Sequence, residues 1–149
     1  MLVKKIAIGC DHAGFKHKEE VKRYLLEKGF EVKDFGTFSA DSVDYPDYGH
    51  KVAEEIEKGM ADYGVLFCGS GNGINMAANK HAGIRSALCW NEEVAKLARQ
   101  HNNANIIAIP ARFMDVEMAK KVVKIFMEEK FEGGRHQQRL NKINLPQHC

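Results

Sequence analysis

The chain has 149 residues, with 22 Lys and Arg against 20 Asp and Glu and a formal net charge of +2. That length suits one domain with a full core, and the near-balanced charge argues against a nucleic-acid binder, which carries a strong basic excess or stripe. No apolar run approaches a membrane span, and 1–8 has strand character rather than a signal-peptide layout.

Lys5–Cys10 predicts a short buried strand, followed by a turn at Asp11-His12-Ala13-Gly14. Phe15–Lys28 has helical periodicity, with Val21, Leu25 and Leu26 on one face and Gly29 as a stop. Phe30–Phe35 predicts a second strand. A polar loop over 37–47 holds Asp44-Tyr45-Pro46, and Tyr48–Lys58 predicts a helix ended near Gly59. Tyr63–Cys68 predicts a third strand, and Ile74–Asn79 the start of a third helix. Arg85–Cys89 predicts a fourth strand. Asn91 then caps a helix over Glu92–Gln100, with Val94, Leu97 and Ala98 facing inward. Asn105–Ile109 predicts a fifth strand, and Asp115 caps a helix whose apolar face is Val116, Ala119, Val122, Val123 and Phe126. Gly133-Gly134 forms a hinge before a short polar helix over Arg135–Lys142 and a tail.

Strands and helices alternate, and the strands are short continuous apolar runs. This is the pattern of an α/β domain whose parallel sheet is covered on both faces. No repeat, low-complexity stretch or linker divides residues 1–149. The four cysteines (Cys10, Cys68, Cys89 and Cys149) show no C-x-x-C pair, so free thiols in a reducing cytoplasm are expected.

Open α/β sheets bind ligands at the carboxyl ends of their strands. Asp11 and His12, Cys68 to Gly73, and Arg112 all fall there. The main signal is Cys68-Gly69-Ser70-Gly71-Asn72-Gly73. A strand end, a glycine turn and a helix start aim backbone N–H groups at whatever sits over the turn. Those amides and the helix end are expected to lower the thiol's pKa. The glycine spacing is not that of a dinucleotide fingerprint, and no Gly-Lys-Ser/Thr follows, so neither nucleotide reading holds. Cys10 and Cys89 also end strands but lack the turn, and read as buried packing residues. A metal site from Cys10, Cys68, Cys89 and His12 has no recognised ligand spacing. Asp11-His12 reads either as a helix cap or as a contact to sugar hydroxyls and an anion. Arg135 and Arg139, four apart, share a helix face. They are either solvated or a two-armed phosphate clamp. His101-Asn102-Asn103 lies either at the opposite sheet edge or back at the site.

Taken together, the strings resemble the type B ribose-5-phosphate isomerases, a family that also holds allose- and galactose-6-phosphate isomerases. They are Gly9-Cys10-Asp11-His12, Asp44-Tyr45-Pro46, the run Cys68 to Gly73, Ala77-Ala78-Asn79-Lys80, Gly83-Ile84-Arg85, His101-Asn102-Asn103-Ala104-Asn105 and Gly133-Gly134-Arg135-His136-Gln137-Gln138-Arg139. The resemblance implies a Rossmann-like three-layer α/β/α sandwich with a five-stranded parallel sheet. It implies a homodimer or dimer of dimers, no metal, no organic cofactor and a small sugar-phosphate substrate. By the family pattern Cys68 is the base of an aldose–ketose interconversion, Ser70 serves the O1/O2 protons and His101 assists ring opening. Gly69, Gly71, Asn72 and Gly73 hold the enediolate. Asp11 and Tyr45 lie near the ring oxygen and hydroxyls, Asn102 binds the sugar, and His12, Arg112, Arg135 and Arg139 hold the phosphate. The C-terminal arm, 133–149, reaches into the partner's site. Position 70 is serine where threonine is frequent, which keeps the hydroxyl. A second branch of the family uses a glutamate just after the glycine turn; here Ile74 stands there, which leaves the thiol as base. A hexose 6-phosphate substrate, a non-catalytic sugar-phosphate module and a thiol redox protein are the competing readings.

Overall fold

In the computed structural model, residues 3–146 are described. Five strands form one sheet: β1 (Lys5–Cys10), β2 (Glu31–Asp34), β3 (Tyr63–Cys68), β4 (Ser86–Leu88) and β5 (Ile106–Pro110). The order is β2-β1-β3-β5-β4 and every pairing is parallel. Six helices connect or follow the strands: α1 (Phe15–Glu27), α2 (Tyr45–Glu57), α3 (Asn72–Ala78), α4 (Glu92–Gln100), α5 (Val116–Glu128) and α6 (Arg135–Leu140). The expected α/β class and five-stranded parallel sheet are therefore present.

Strand alternation divides the core into two layers. Ile6, Ile8 and Cys10, Val65 and Phe67, and Ile107 and Ile109 face α1, α4 and α5. Ala7, Leu66 and Cys68, and Ile106 and Ala108 face α2 and α3. A period of two thus puts Cys68 on one face of the sheet and Cys10 and Cys89 in the layer on the other. The thiols do not converge, so they form no common metal site. Cys149 lies outside the described residues.

Some expectations shift. α2 starts at Tyr45, three residues before the expected Tyr48, because Pro46 is accommodated in a helix's first turn, where its missing N–H has no partner to lose. Leu26 is half exposed; the inner face of α1 is Lys18, Val21 and Leu25. Lys18 is fully buried and paired with Asp34 and Glu19. In α4, Ala98 is buried as expected, but Val94 is exposed and Leu97 only partly buried; Ala95 and Arg99 are buried in their place. α6 buries none of its residues, and Gly133 and Gly134 before it both have positive φ.

The sheet order places a crevice between β1 and β3. The chain leaves β1 toward β2 on one side, and β3 lies on the other. At such a switch point the loops diverge and leave room for a ligand. The turn after β1 and the turn after β3 both open there.

Candidate active site

Cys68 ends β3 and is 4% exposed. The chain then turns through Gly71, whose φ of 77° is a left-handed conformation that suits glycine. A Cβ at Gly71 would also lie 2.5 Å from Leu88 Cδ1. This turn folds the first residues of α3 back over the strand end, so the backbone N–H groups of Ile74, Gly71 and Gly73 point at Cys68 Sγ. Burial pushes the Cys68 thiol above its usual 9.0, the three amides pull it down, and the charge of Asp11 pushes it up again. The net direction is upward, which corrects the expectation that the turn lowers it: loss of water around the thiolate outweighs the amides. Cys10 and Cys89 have no amide nest, and burial pushes both to about 12. They are inert packing thiols, as their sequence context indicates.

Other groups converge on the same edge. Asp11 is 7% exposed, and its carboxylate accepts from the Gly14 N–H at 3.2 Å, so it does cap the turn after β1. The Asp11 N–H donates to Phe67 O at 3.1 Å, which holds that turn beside β3. Its charge reaches Cys68. The Val43 N–H donates to His12 Nδ1 at 3.2 Å. This places the neutral ring's proton on Nε2, a donor suited to an anion. Tyr45, at the start of α2, lies so close over Gly73 that an added Cβ would sit 2.4 Å from its Cζ. The Arg112 N–H donates to Gly69 O at 2.9 Å, and its guanidinium lies over Gly69, 3.0 Å from where a Cβ would be. Ser70 Oγ accepts from the Asn72 N–H at 3.2 Å. The structure therefore gathers Cys68, Gly69, Ser70, Gly71, Asn72, Gly73, Asp11, His12, Tyr45 and Arg112 at one edge.

The remaining candidates lie elsewhere within the chain. α4 runs back along the sheet, so His101 and Asn102 follow its end at the amino edge, just before β5. β5 is five residues long, roughly 16 Å at about 3.3 Å per residue. His101 and Asn102 share a groove of about 350 Å³ with Arg135, His136 and Arg139. The turn that carries them is clamped. Arg85 donates to the carbonyls of Asn102 and Asn103, and Arg99 donates to the Asn103 side chain and to Ala104 O. Asn103 adopts a φ of 45°, in the left-handed region that asparagine tolerates best after glycine. Arg85, Arg99, Glu132 and His136 are site-shaping residues that sequence reasoning passed over. Arg85 and His136 stand inside the quoted strings without an assigned role. The remaining signal is the Glu132–His136 spacing.

An open parallel sheet with a buried thiol among backbone amides at its switch point, flanked by a histidine, a tyrosine and an arginine, defines an α/β enzyme of small-molecule chemistry. Comparison makes this specific. A family model described as Ribose/Galactose Isomerase matches residues 6–143. The chain is 48% identical over 141 residues to ribose-5-phosphate isomerase B of Escherichia coli K12, covering 95% of each chain. A crystal structure of a ribose 5-phosphate isomerase from Thermotoga maritima superposes with a TM-score of 0.93 at 53% identity, covering 94% of this chain and 97% of that one. The Mycoplasma genitalium ribose-5-phosphate isomerase B with bound ribulose-5-phosphate superposes with a TM-score of 0.92 at 41% identity, covering 96% and 95%. This chain belongs to the ribose/galactose isomerase family.

Proposed function

We propose that this protein interconverts ribose 5-phosphate and ribulose 5-phosphate as a homodimer in a reducing cytoplasm, with Cys68 as base. The observation that carries the mechanism is the Cys68 thiol seated among the amides of Ile74, Gly71 and Gly73 at the switch point. The Cys68 thiolate takes the proton from C2 of the open-chain aldose, and the electron pair moves onto the C1 carbonyl to form an enediolate. Ser70 carries the proton from O2 to O1, and the protonated thiol returns its proton to C1 of the enediolate as the C2 carbonyl forms, which gives the ketose. The turn from Gly69 to Gly73 supports the enediolate, since hydrogen-bond donors fixed where negative charge develops lower the barrier. One base working on one face balances the reaction without oxidant or reductant.

Arg112 and His12 Nε2 hold the phosphate from the thiol's own chain, and Asp11 and Tyr45 meet the hydroxyls and ring oxygen. His101 assists ring opening and Asn102 binds the sugar, while Arg135 and Arg139 clamp the phosphate. These four lie about one strand length from Cys68 in their own chain, so they act in the partner's site. Two facts support this reading of the arm. α6 buries nothing, and Ile143 and Leu145 beyond it are 52% and 85% exposed.

Isomerisation of ribose 5-phosphate in buffer containing a chelator tests the proposal. Turnover is expected with the wild type, together with loss of nearly all turnover but retained ribose 5-phosphate binding in Cys68→Ala. Full turnover in that variant, or a large kcat/KM preference for allose 6-phosphate, overturns the assignment.

A further inference from the structure

The turn after β1 and the loop after β2 are joined at two places. One is the bond from the Val43 N–H to His12 Nδ1. The other is a buried ion pair. The side chains of Lys18, on α1, and Asp34, at the end of β2, are 0% and 6% exposed. Lys18 Nζ donates to Asp34 Oδ2, and to Glu19 Oε1 at 2.9 Å. Lys22 Nζ also donates to Asp34 Oδ2, at 3.1 Å. Asp34 Oδ1 accepts from the Gly36 N–H at 2.9 Å. From there the backbone is laced to the last residue of β1. The Cys10 N–H donates to Gly36 O at 2.7 Å, and the Thr37 N–H donates to Cys10 O at 2.9 Å. Phe38 follows, with the Lys18 ammonium 5.1 Å from its ring centroid.

Both groups stay charged. Burial pulls Lys18 down, yet its bonds to Asp34 and Glu19 raise it above its usual 10.5. Burial pushes Asp34 up, yet the bonds from Lys18, Gly36 and Lys22 hold it below 3.8. Such a pair adds little stability over apolar side chains of similar size. Val21 and Leu25 complete the inner face of α1 with hydrocarbon, and an apolar residue at 18 would continue it. What an apolar residue does not supply is direction. Opposed charges with fixed hydrogen bonds favour one placement of α1 against β2. The turn that holds His12 leads straight into α1, and β2 runs on into the loop that ends at Val43. The Val43 bond depends on that placement. At 3.2 Å it lies at the long end of the ordinary range, so a small shift of the loop breaks it.

We propose that Lys18 and Asp34 are positioning residues: their buried pair sets the loop after β2 against the turn after β1, so that Val43 holds His12 with its proton on Nε2. The positioning stands on the geometry alone. Its effect on turnover rests on the phosphate role proposed for His12.

Nitrogen NMR of full-length, histidine-labelled protein at about pH 8.5, where an ordinary imidazole is neutral, tests the positioning. The His12 signals are those missing from His12→Ala. In the wild type a bare Nδ1 and a protonated Nε2 are expected. In Lys18→Met and in Asp34→Asn the two signals are expected to move toward each other as the tautomers mix. Lys18→Met leaves Asp34 bonded to Lys22 and Gly36, so no buried charge is stranded. Val21→Ala, which opens a cavity on the same buried face of α1, is expected to lower Tm and leave the His12 signals in place. A proton on Nδ1 in the wild type, unmoved signals in either pair variant, or the same change in Val21→Ala overturns the proposal. The two pair variants are read separately, so failure of one to fold leaves the other decisive. In the isomerase assay, a ring that presents Nε2–H in a minority of its states weakens apparent affinity by that fraction. Lys18→Met is therefore expected to raise KM for ribose 5-phosphate roughly fivefold, and to add nothing in a His12→Ala background. An equal rise in both backgrounds overturns the link to His12. Should ribose 5-phosphate not be a substrate, NMR still reads the tautomer, so the two proposals fail separately.

Discussion

Cys68 is held between opposed influences, and their balance sets a pH dependence. Burial raises its pKa above 9.0, the amides of Ile74, Gly71 and Gly73 lower it, and Asp11 raises it. A base with a raised pKa is mostly protonated at neutral pH, so each unit of pH below that pKa cuts the thiolate about tenfold. The plot of log kcat/KM against pH, which reports the free enzyme, is therefore expected to rise with about unit slope on its acid side. Asp11→Asn removes the negative charge that disfavours thiolate. Its acid limb is expected to move to lower pH, even though the same change weakens substrate binding. A flat acid limb in the wild type would remove Cys68 from the role of base. Cys10 and Cys89, raised to about 12, contribute no thiolate across this range.

At the scale of elements, the turn after β1 depends on one close approach. A Cβ at Gly14 would sit 2.4 Å from Phe67 Cβ and 2.9 Å from the Phe67 carbonyl carbon and oxygen. Strand backbone cannot yield as a side-chain tip does, so Gly14→Ala must lift the turn off β3 and carry Asp11 and His12 with it. Overpacking of this kind costs about 1–3 kcal/mol, or roughly 2–12 °C in Tm at this chain length. Thermal unfolding is expected to show that loss, together with a raised KM. An unchanged Tm and KM would mean that the turn tolerates displacement. The strand and helix order here was legible because continuous apolar runs and glycine stops alternate along the chain. Boundaries were less so. Pro46 suggests a loop until the first helical turn is allowed to take it. The inward face of α4 is small, Ala95 and Ala98, beside an arginine that donates to Asn103, Ala104 and Tyr63. Hydrophobicity alone therefore points to Val94 and Leu97. Lys18 is harder still, because its burial depends on Asp34, sixteen residues away. Which edge carries His101 depends on where α4 ends, and periodicity does not resolve that.

On the scale of the whole molecule, the residues proposed to hold the sugar phosphate fall into two groups at opposite ends of the strands. Cys68, Asp11, His12, Tyr45 and Arg112 are at one end. His101, Asn102, Arg135 and Arg139 are at the other, in one groove. In the proposed homodimer a two-fold axis makes such a division productive, because each chain presents both halves and two complete sites form at once. This arrangement has a consequence that no single-chain site shares. Cys68→Ala and His101→Asn are each expected to lack nearly all activity alone. When they are mixed, dissociated and reassociated, a mixed dimer carries one site with both defects and one with none. Random pairing makes about half of the dimers mixed, so the mixture is expected to recover about a quarter of wild-type activity. A site completed within one chain gives no recovery, since every chain then retains its own defect. Measured turnover of the mixture near a quarter therefore supports assembly across the dimer, and turnover no higher than that of the separate variants overturns it.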